Sequence, residues 1–201
     1  MNYLFQNGDI CVRKMEDNIM DYSLMAKWLS TVDVLDYYGG RSNPFDLERV
    51  VKKYGPRTKG EEAVVPCIIE YNQKSIGYIQ YYRIEPDGYD VGDAINMGNY
   101  ELPYGIDLFI GETDNWNKGI GTIVLKLLIS YLFNSENADI IFIDPQTWNK
   151  RSIRCYEKSG FVPIVVIKNR ETHDGEYKDN LIMSISLEDW KKTNNNHSLQ
   201  L

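Results

Sequence analysis

The residues with the clearest chemical capacity lie between Tyr104 and Thr122. An apolar, strand-like run, Tyr104–Gly111, leads into Trp116-Asn117-Lys118-Gly119-Ile120-Gly121-Thr122 and then directly into an amphipathic helical pattern. A glycine turn feeding a helix N-terminus leaves backbone N–H groups unpaired at the positive end of the helix dipole, which together bind a phosphate or pyrophosphate. A side chain there would hold phosphate oxygens away from the amides. The segment is neither the G-x-G-x-x-G of dinucleotide folds nor G-x-x-x-x-G-K-S/T, so a turn that merely packs helix on strand satisfies it too. Asp107 lies inside Ile106-Asp107-Leu108-Phe109-Ile110, where a carboxylate needs a reason: it either meets solvent at a strand edge or anchors a cation. Asp144, before Pro145, projects at a strand end as a partner for an amine or as a turn starter. Tyr156 follows Ile153 at helical spacing and is either a proton donor or a core aromatic.

Charge narrows the partners. Lys and Arg number 22 against 29 Asp and Glu, a net charge of −7. That balance gives no general attraction to nucleic acid or to an anionic membrane, and it favours a cationic partner. The acids are concentrated: the 34 residues between Arg83 and Lys118 hold Glu85, Asp87, Asp90, Asp93, Glu101, Asp107, Glu112 and Asp114 and no Lys, Arg or His. This is a local negative field or a solvated acidic loop. Tyr89, Tyr100, Tyr104 and Trp116 are interspersed among the acids, and aromatic faces beside carboxylates suit a cationic partner. Cys11, Cys67 and Cys155 are an odd number without metal-type spacing, so neither a disulfide framework nor a metal site is expected. The N-terminus has no signal-like pattern, and no apolar run reaches the ~18 residues that span a bilayer, so a reduced, cytoplasmic protein is expected, as monomer or homodimer.

The elements that must position these residues read as a single domain over residues 1–190, with residues 191–201 a polar tail that frays. Strand patterns occupy Asp9–Lys14, Val64–Tyr71, Ser75–Ile84, Tyr104–Gly111, Asp139–Asp144, Phe161–Lys168 and Asn180–Ile185. The link Asn72-Gln73-Lys74 has hairpin length and makes the second and third of these antiparallel. Helical patterns cover Asp17–Ser30, the segment after Asn43 (Asn43 as N-cap, Pro44 at the first position, Gly55 past the end), Thr122–Phe133, and Lys150–Ser159 closed by Gly160. The fold class is therefore α/β (α+β), a mixed sheet of about seven strands flanked by about four helices. The long connection Glu85–Pro103 has the length of a lid or binding loop.

The glycine turn after a strand, the strand ending Ile143-Asp144-Pro145, and N-x-R-x-I-R-x-Y-x-K-x-G-F from Asn149 to Phe161 together resemble the GNAT acetyltransferases in element order over nearly the whole chain. Within that superfamily, Tyr37-Tyr38-Gly39-Gly40, Ile76-Gly77-Tyr78-Ile79-Gln80, Tyr104–Gly111 and Asp144-Pro145 are similar to the aminoglycoside 6′-N-acetyltransferases. One departure is Trp116, which stands where the superfamily often has Gln or Arg. The resemblance implies a mostly antiparallel GNAT sheet, acetyl-CoA as co-substrate and an aminoglycoside as acceptor. It further implies acetyl-CoA contacts from Leu108, Phe109, Ile110, Trp116, Lys118, Gly119, Ile120, Gly121, Thr122 and Asn149, with the strand amides polarising the thioester. Asp107 then orders the attacking amine, of which only about 10⁻³ is unprotonated at neutral pH, and Tyr156 protonates the departing thiolate. Tyr37, Tyr38, Asp87, Tyr104, Asp107, Glu112 and Asp144 are the expected aminoglycoside contacts. Another small polyamine or a protein amine as acceptor, and a non-catalytic acyl-CoA- or drug-binding module, are the alternatives.

Overall fold

A computed structural model of the chain describes residues 3–85, 89 and 96–198. Among them run β1 (Tyr3–Asn7), β2 (Ile10–Lys14), α1 (Ile19–Trp28), α2 (Val32–Leu35), α3 (Leu47–Thr58), β3 (Val64–Tyr71), β4 (Lys74–Arg83), β5 (Pro103–Ile110), α4 (Ile120–Asn134), β6 (Ile140–Ile143), α5 (Lys150–Lys158), β7 (Val162–His173), β8 (Glu176–Ser186) and α6 (Leu187–Ser198). The strands form one sheet in the order β1-β2-β3-β4-β5-β6-β8-β7. Every neighbouring pair is antiparallel except β5 and β6.

Eight strands replace the seven expected. The additional one is β1, joined to β2 through a turn in which Gly8 takes φ +57°. The Asn72-Gln73 link does make an antiparallel hairpin, both residues at positive φ (+50° and +62°) as the two-residue turn demands. α2 has only four residues and is too short to leave a periodic signature. α3 begins later and ends later than expected. Asp46, not Asn43, caps it by accepting from the Arg49 N–H at 2.8 Å, and the helix runs through Gly55-Pro56 to Thr58. Full burial of Val50 and Tyr54 outweighs the local preference to stop at that dipeptide. Residues 191–198, expected to fray, continue α6, which Trp190 anchors by ring contact with Phe133 at 5.3 Å.

Parity along β4 and β5 sorts the two faces of the sheet. Ile79, Tyr81, Tyr104 and Ile106 join the core under α4, with Val124, Leu125, Leu128 and Leu132. Tyr78 and Phe109 point to the opposite face, where Tyr22, Met25 and Trp28 of α1 and Val50 and Tyr54 of α3 cover them. Asp107 shares that second face and pairs directly across from Gln80. A buried triad fixes α1 to the sheet: Arg13 makes two bonds of 2.7 Å to Asp21 and one of 2.9 Å to Glu70. Removing one member would strand a buried charge at a cost of about 3–5 kcal/mol.

Candidate active site

The site is built on a split in the sheet. β5 and β6 pair only over Pro103–Gly105 with Ile140–Phe142, after which the strands separate. On its other side β5 stays bonded to β4: the Ile84 N–H donates to the Pro103 carbonyl and the Gly111 N–H to the Ile76 carbonyl. Since bonding alternates along a strand, the odd-numbered residues serve β4, and beyond the last β6 pairing at Gly105 the Ile106 carbonyl and the backbone groups of Leu108 and Ile110 face the gap. The Trp116 indole takes up one of these by donating to the Ile110 carbonyl at 2.7 Å.

The gap widens into a cleft of ≈ 630 Å³ lined by both the glycine turn and the carboxylates. On one side lie Gly119, Ile120, Gly121 and Thr122 at the start of α4. Gly119 is the N-cap at φ +79°, and no side chain caps the helix, so its first amides stay available to an anion. A Cβ on Gly119 would meet nothing within 4 Å and one on Gly121 only the Cys155 Sγ at 3.4 Å, which shows how open the approach to these amides is. Arg154 and Lys158, one turn apart on α5, line the same side. The open amides, the two cations and the free edge of β5 fit a pyrophosphate with a pantetheine arm, so the residues present suit acetyl-CoA.

Carboxylates occupy the other side. Asp107 is half-buried, and burial raises its pKa against the bond it accepts from Gln80 Nε2 at 2.6 Å and the charges of Arg57 and Lys53. Asp144 is pushed up to about 7, by burial first and then by the charge of Asp107, although Arg170 Nε donates to it at 3.1 Å. Glu171 lines the cleft as well. Sequence reasoning missed Arg170 and Glu171 because it ended the strand at Lys168. β7 and β8 in fact extend to Asp174-Gly175, both at positive φ (+51° and +80°), and that Asp-Gly pair was the available hairpin signal. The hairpin tip meets the loop after α2: Asp174 Oδ1 accepts from the Ser42 N–H at 2.8 Å, and a Cβ on Gly40 would lie 2.7 Å from that same oxygen.

Most of the residues singled out from sequence converge here. Leu108, Phe109, Ile110, Trp116, Gly119, Ile120, Gly121, Thr122, Asn149, Tyr37, Tyr38, Asp107, Asp144 and Tyr156 all line the cleft. Asn149 also caps α5, its Oδ1 accepting from the Ser152 N–H at 3.1 Å. Arg151 lies over the Trp116 ring at 3.8 Å and the Tyr37 ring at 4.1 Å, closing the rim. Tyr156 is buried, and burial raises its phenol, which keeps it protonated. Cys155 lines the cleft too, but burial raises its thiol and Thr122 Oγ1 lies 3.4 Å from its sulfur.

Three of the expected contacts lie away from the cleft lining, and one falls outside the described residues. Tyr104 packs into the α4-side core, 6.4 Å from the Tyr81 ring, on the stretch where β5 is still paired with β6, before the strands separate. Glu112 is occupied by Lys27 and by the Trp28 indole, which donates at 2.8 Å, and does not line the cleft. Lys118 is exposed in the turn and is likewise outside the lining. Asp87, with Asp90 and Asp93 of the acidic connection, lies outside the described residues.

The family description "Acetyltransferase (GNAT) domain" matches residues 17–168. The chain belongs to the GNAT acetyltransferases. Its fold is accordingly the GNAT fold, mixed and mostly antiparallel, and the family's co-substrate is acetyl-CoA. The GNAT chain is 30% identical over 158 residues to an aminoglycoside N(6′)-acetyltransferase type 1 of Klebsiella pneumoniae, covering 77% of this chain and 75% of that one. A solved structure of the aminoglycoside acetyltransferase AAC(6′)-Ib with ribostamycin and coenzyme A superposes with a TM-score of 0.74 at 27% identity, over 92% of this chain and 97% of that one. A spermidine N-acetyltransferase of Vibrio cholerae, solved with CoA and spermine, shares the fold at a TM-score of 0.71 and 14% identity, over 92% of this chain and 99% of that one. Among the described residues no helix is long and apolar enough to cross a membrane.

Proposed function

We propose that the protein transfers the acetyl group of acetyl-CoA directly to the 6′-amine of an aminoglycoside, as a cytoplasmic enzyme whose residues 1–190 act as one unit. The observation that carries this reading is the meeting of Asp107, Asp144 and Glu171 in the cleft that also holds the glycine turn. Paired cationic amines are what such a carboxylate group holds, and they are the charge state of the acceptor at neutral pH. The likeness to the Klebsiella enzyme and to the ribostamycin complex supports the same acceptor class.

Acetyl-CoA supplies the acetyl thioester. The amides of Gly119–Thr122 with Arg154 and Lys158 hold its phosphates, and the gap-facing N–H of Leu108 polarises the thioester carbonyl. Asp107 orders the ammonium group and passes one proton to water, which frees the nitrogen lone pair. As the new C–N bond forms, the C–S bond breaks and the nitrogen gives up its second proton to solvent, the Tyr156 phenol protonates the departing sulfur and recovers a proton from solvent. Cys155, held as a protonated thiol, offers no thiolate for an acyl-enzyme.

Asp107→Asn and Tyr156→Phe separate the two ends of this reaction. Asp107→Asn worsens both kcat and aminoglycoside KM. Tyr156→Phe acts chiefly on kcat, by up to roughly 10²–10⁴-fold, and the deficit shrinks with a donor whose thiol is a better leaving group. Equal deficits for good and poor leaving groups would make Tyr156 a packing residue. Assignment of the acetylated nitrogen by NMR tests the regiochemistry, and turnover of a protein amine or a simple polyamine in preference would displace the aminoglycoside.

A further inference from the structure

Behind Asp107, outside the cleft lining, lies a hydrogen-bonded chain that the reaction above does not use. Gln80 Nε2 donates to Asp107 Oδ2 at 2.6 Å, while Gln80 Oε1 accepts from Arg57 Nη1 at 2.9 Å and from the Tyr78 hydroxyl at 2.7 Å. Gln80 and Tyr78 are buried, and Arg57 is held from the far side by Glu62 at 2.9 Å. The arrangement has one workable orientation. Arg57 can only donate, so the amide oxygen must face it; a flipped amide would set NH₂ against the guanidinium and a carbonyl against the carboxylate. The cross-strand register places Gln80 directly opposite Asp107, so the contact is imposed by the backbone as well.

We infer that Gln80, aimed by Arg57 and Tyr78, is a positioning residue that fixes the rotamer of the Asp107 carboxylate toward the acceptor amine and holds it charged. The inference rests on the role given to Asp107 above and goes beyond it, since neither Gln80 nor Arg57 lines the cleft. Burial works against the charged form of Asp107, and the Gln80 donor opposes it. Other groups act on Asp107 from each surrounding element. They are Arg57, Lys53 and Tyr54 of α3, Tyr38, Tyr78 and Tyr82, Asp144, Glu171, Tyr156 of α5, and Tyr89. Of these groups Gln80 itself bonds Arg57 and Tyr78, and Gln80→Glu keeps an acceptor for both, so comparing it with Gln80→Met separates the loss of the Asp107 contact from the release of those two.

Two variants of Gln80 in the full chain, with pH profiles of kcat/KM for ribostamycin, form the test. Gln80→Met keeps length but removes the donor; kcat falls ~10–100-fold through misplacement of the carboxylate, and the acid limb moves to higher pH. Gln80→Glu keeps the acceptor for Arg57 and Tyr78 but sets a carboxylate against Asp107, so its acid limb moves further up and its kcat falls more, while acetyl-CoA affinity changes less than twofold. A merely structural role predicts the reverse order, with Gln80→Glu nearer to the parent because both bonds to Gln80 Oε1 survive. That reverse order, or an unmoved acid limb in a folded variant, overturns the inference. Should Gln80→Met not fold, Gln80→Asn, whose shorter side chain withdraws the amide donor from Asp107 without adding a charge, takes its place with the same expectation. A parallel Asp107→Asn variant distinguishes the failures: if it retains full activity the reading of Asp107 itself falls, whereas an impaired Asp107→Asn beside a normal Gln80→Glu overturns the positioning role only.

Discussion

At Asp144, burial and the charges of Asp107 and Glu171 oppose the single guanidinium of Arg170, leaving a carboxyl that titrates at about 7. Its folded pKa lies above the ordinary carboxylate value, so the folded protein binds the proton more tightly than the unfolded chain does. The stabilisation is complete below about pH 4 and is lost as pH rises through about 7. An acceptor ammonium placed beside Asp144 relieves this by favouring the charged form. Ribostamycin binding at pH 7 is therefore expected to release protons from the protein, measurable as a buffer-dependent calorimetric enthalpy, and Asp144→Asn should abolish that component. In thermal melts the same variant gains on the parent as pH rises from 4 to 8. A stability difference that stays flat across this range would mean that Asp144 is an ordinary paired surface carboxylate.

At the level of elements, two glycines a short distance apart along the chain do opposite jobs. Gly111, at the end of β5, has the Trp28 ring where a Cβ would be, with the nearest atom at 2.1 Å. Gly111→Ala is expected to destabilise the protein by about 1–3 kcal/mol through overpacking. Gly121 has only the Cys155 Sγ at 3.4 Å, so Gly121→Val should fold yet raise the CoA dissociation constant strongly, because its side chain covers the first amides of α4. Calorimetry that found unchanged CoA affinity in folded Gly121→Val would remove the phosphate-cradle assignment. The glycine turn, Asp107, Asp144 and Tyr156 were legible because each departs from its surroundings: glycines at a helix start, a carboxylate in an apolar run, an acid before proline, a phenol on a helix closed by glycine. Tyr104 sits where β5 still pairs with β6, opposite Ile141, and the point at which the two strands part leaves no mark in the sequence. Arg170 and Glu171 were hidden because the register of β7 shifts between Ile167 and Glu171, which breaks the alternation just before them. The Gln80–Arg57 contact joins a strand to a helix 23 residues away and leaves no local pattern. Glu112 looked free in sequence because its partners, Lys27 and Trp28, come from α1, 85 and 84 residues earlier.

Over the whole molecule, the chain is two sets of antiparallel strands, β1–β5 and β6–β8, meeting at the short parallel contact of Pro103–Gly105 with Ile140–Phe142. A CoA molecule lying along β5 would touch both sets, so at a hundredfold excess over its dissociation constant it adds about 2.7 kcal/mol of apparent stability. Hydrogen exchange should locate that effect: the amides of Leu108 and Ile110 slow most on CoA addition, and those of the β3–β4 hairpin slow least. Uniform slowing would point to binding elsewhere. The unpaired side of β5 is, in effect, an edge strand placed in the middle of a sheet. Edge strands at a perimeter invite a second chain to add itself, and proteins protect them with charge, proline or bulges. Here the protection is positional. The free edge lies in a cleft whose opposite bank is β6 and α5 and whose rim carries Trp116, Tyr37 and Arg151, so an extended coenzyme arm has access where a second polypeptide strand, needing a neighbour ~4.8 Å away along its whole length, does not.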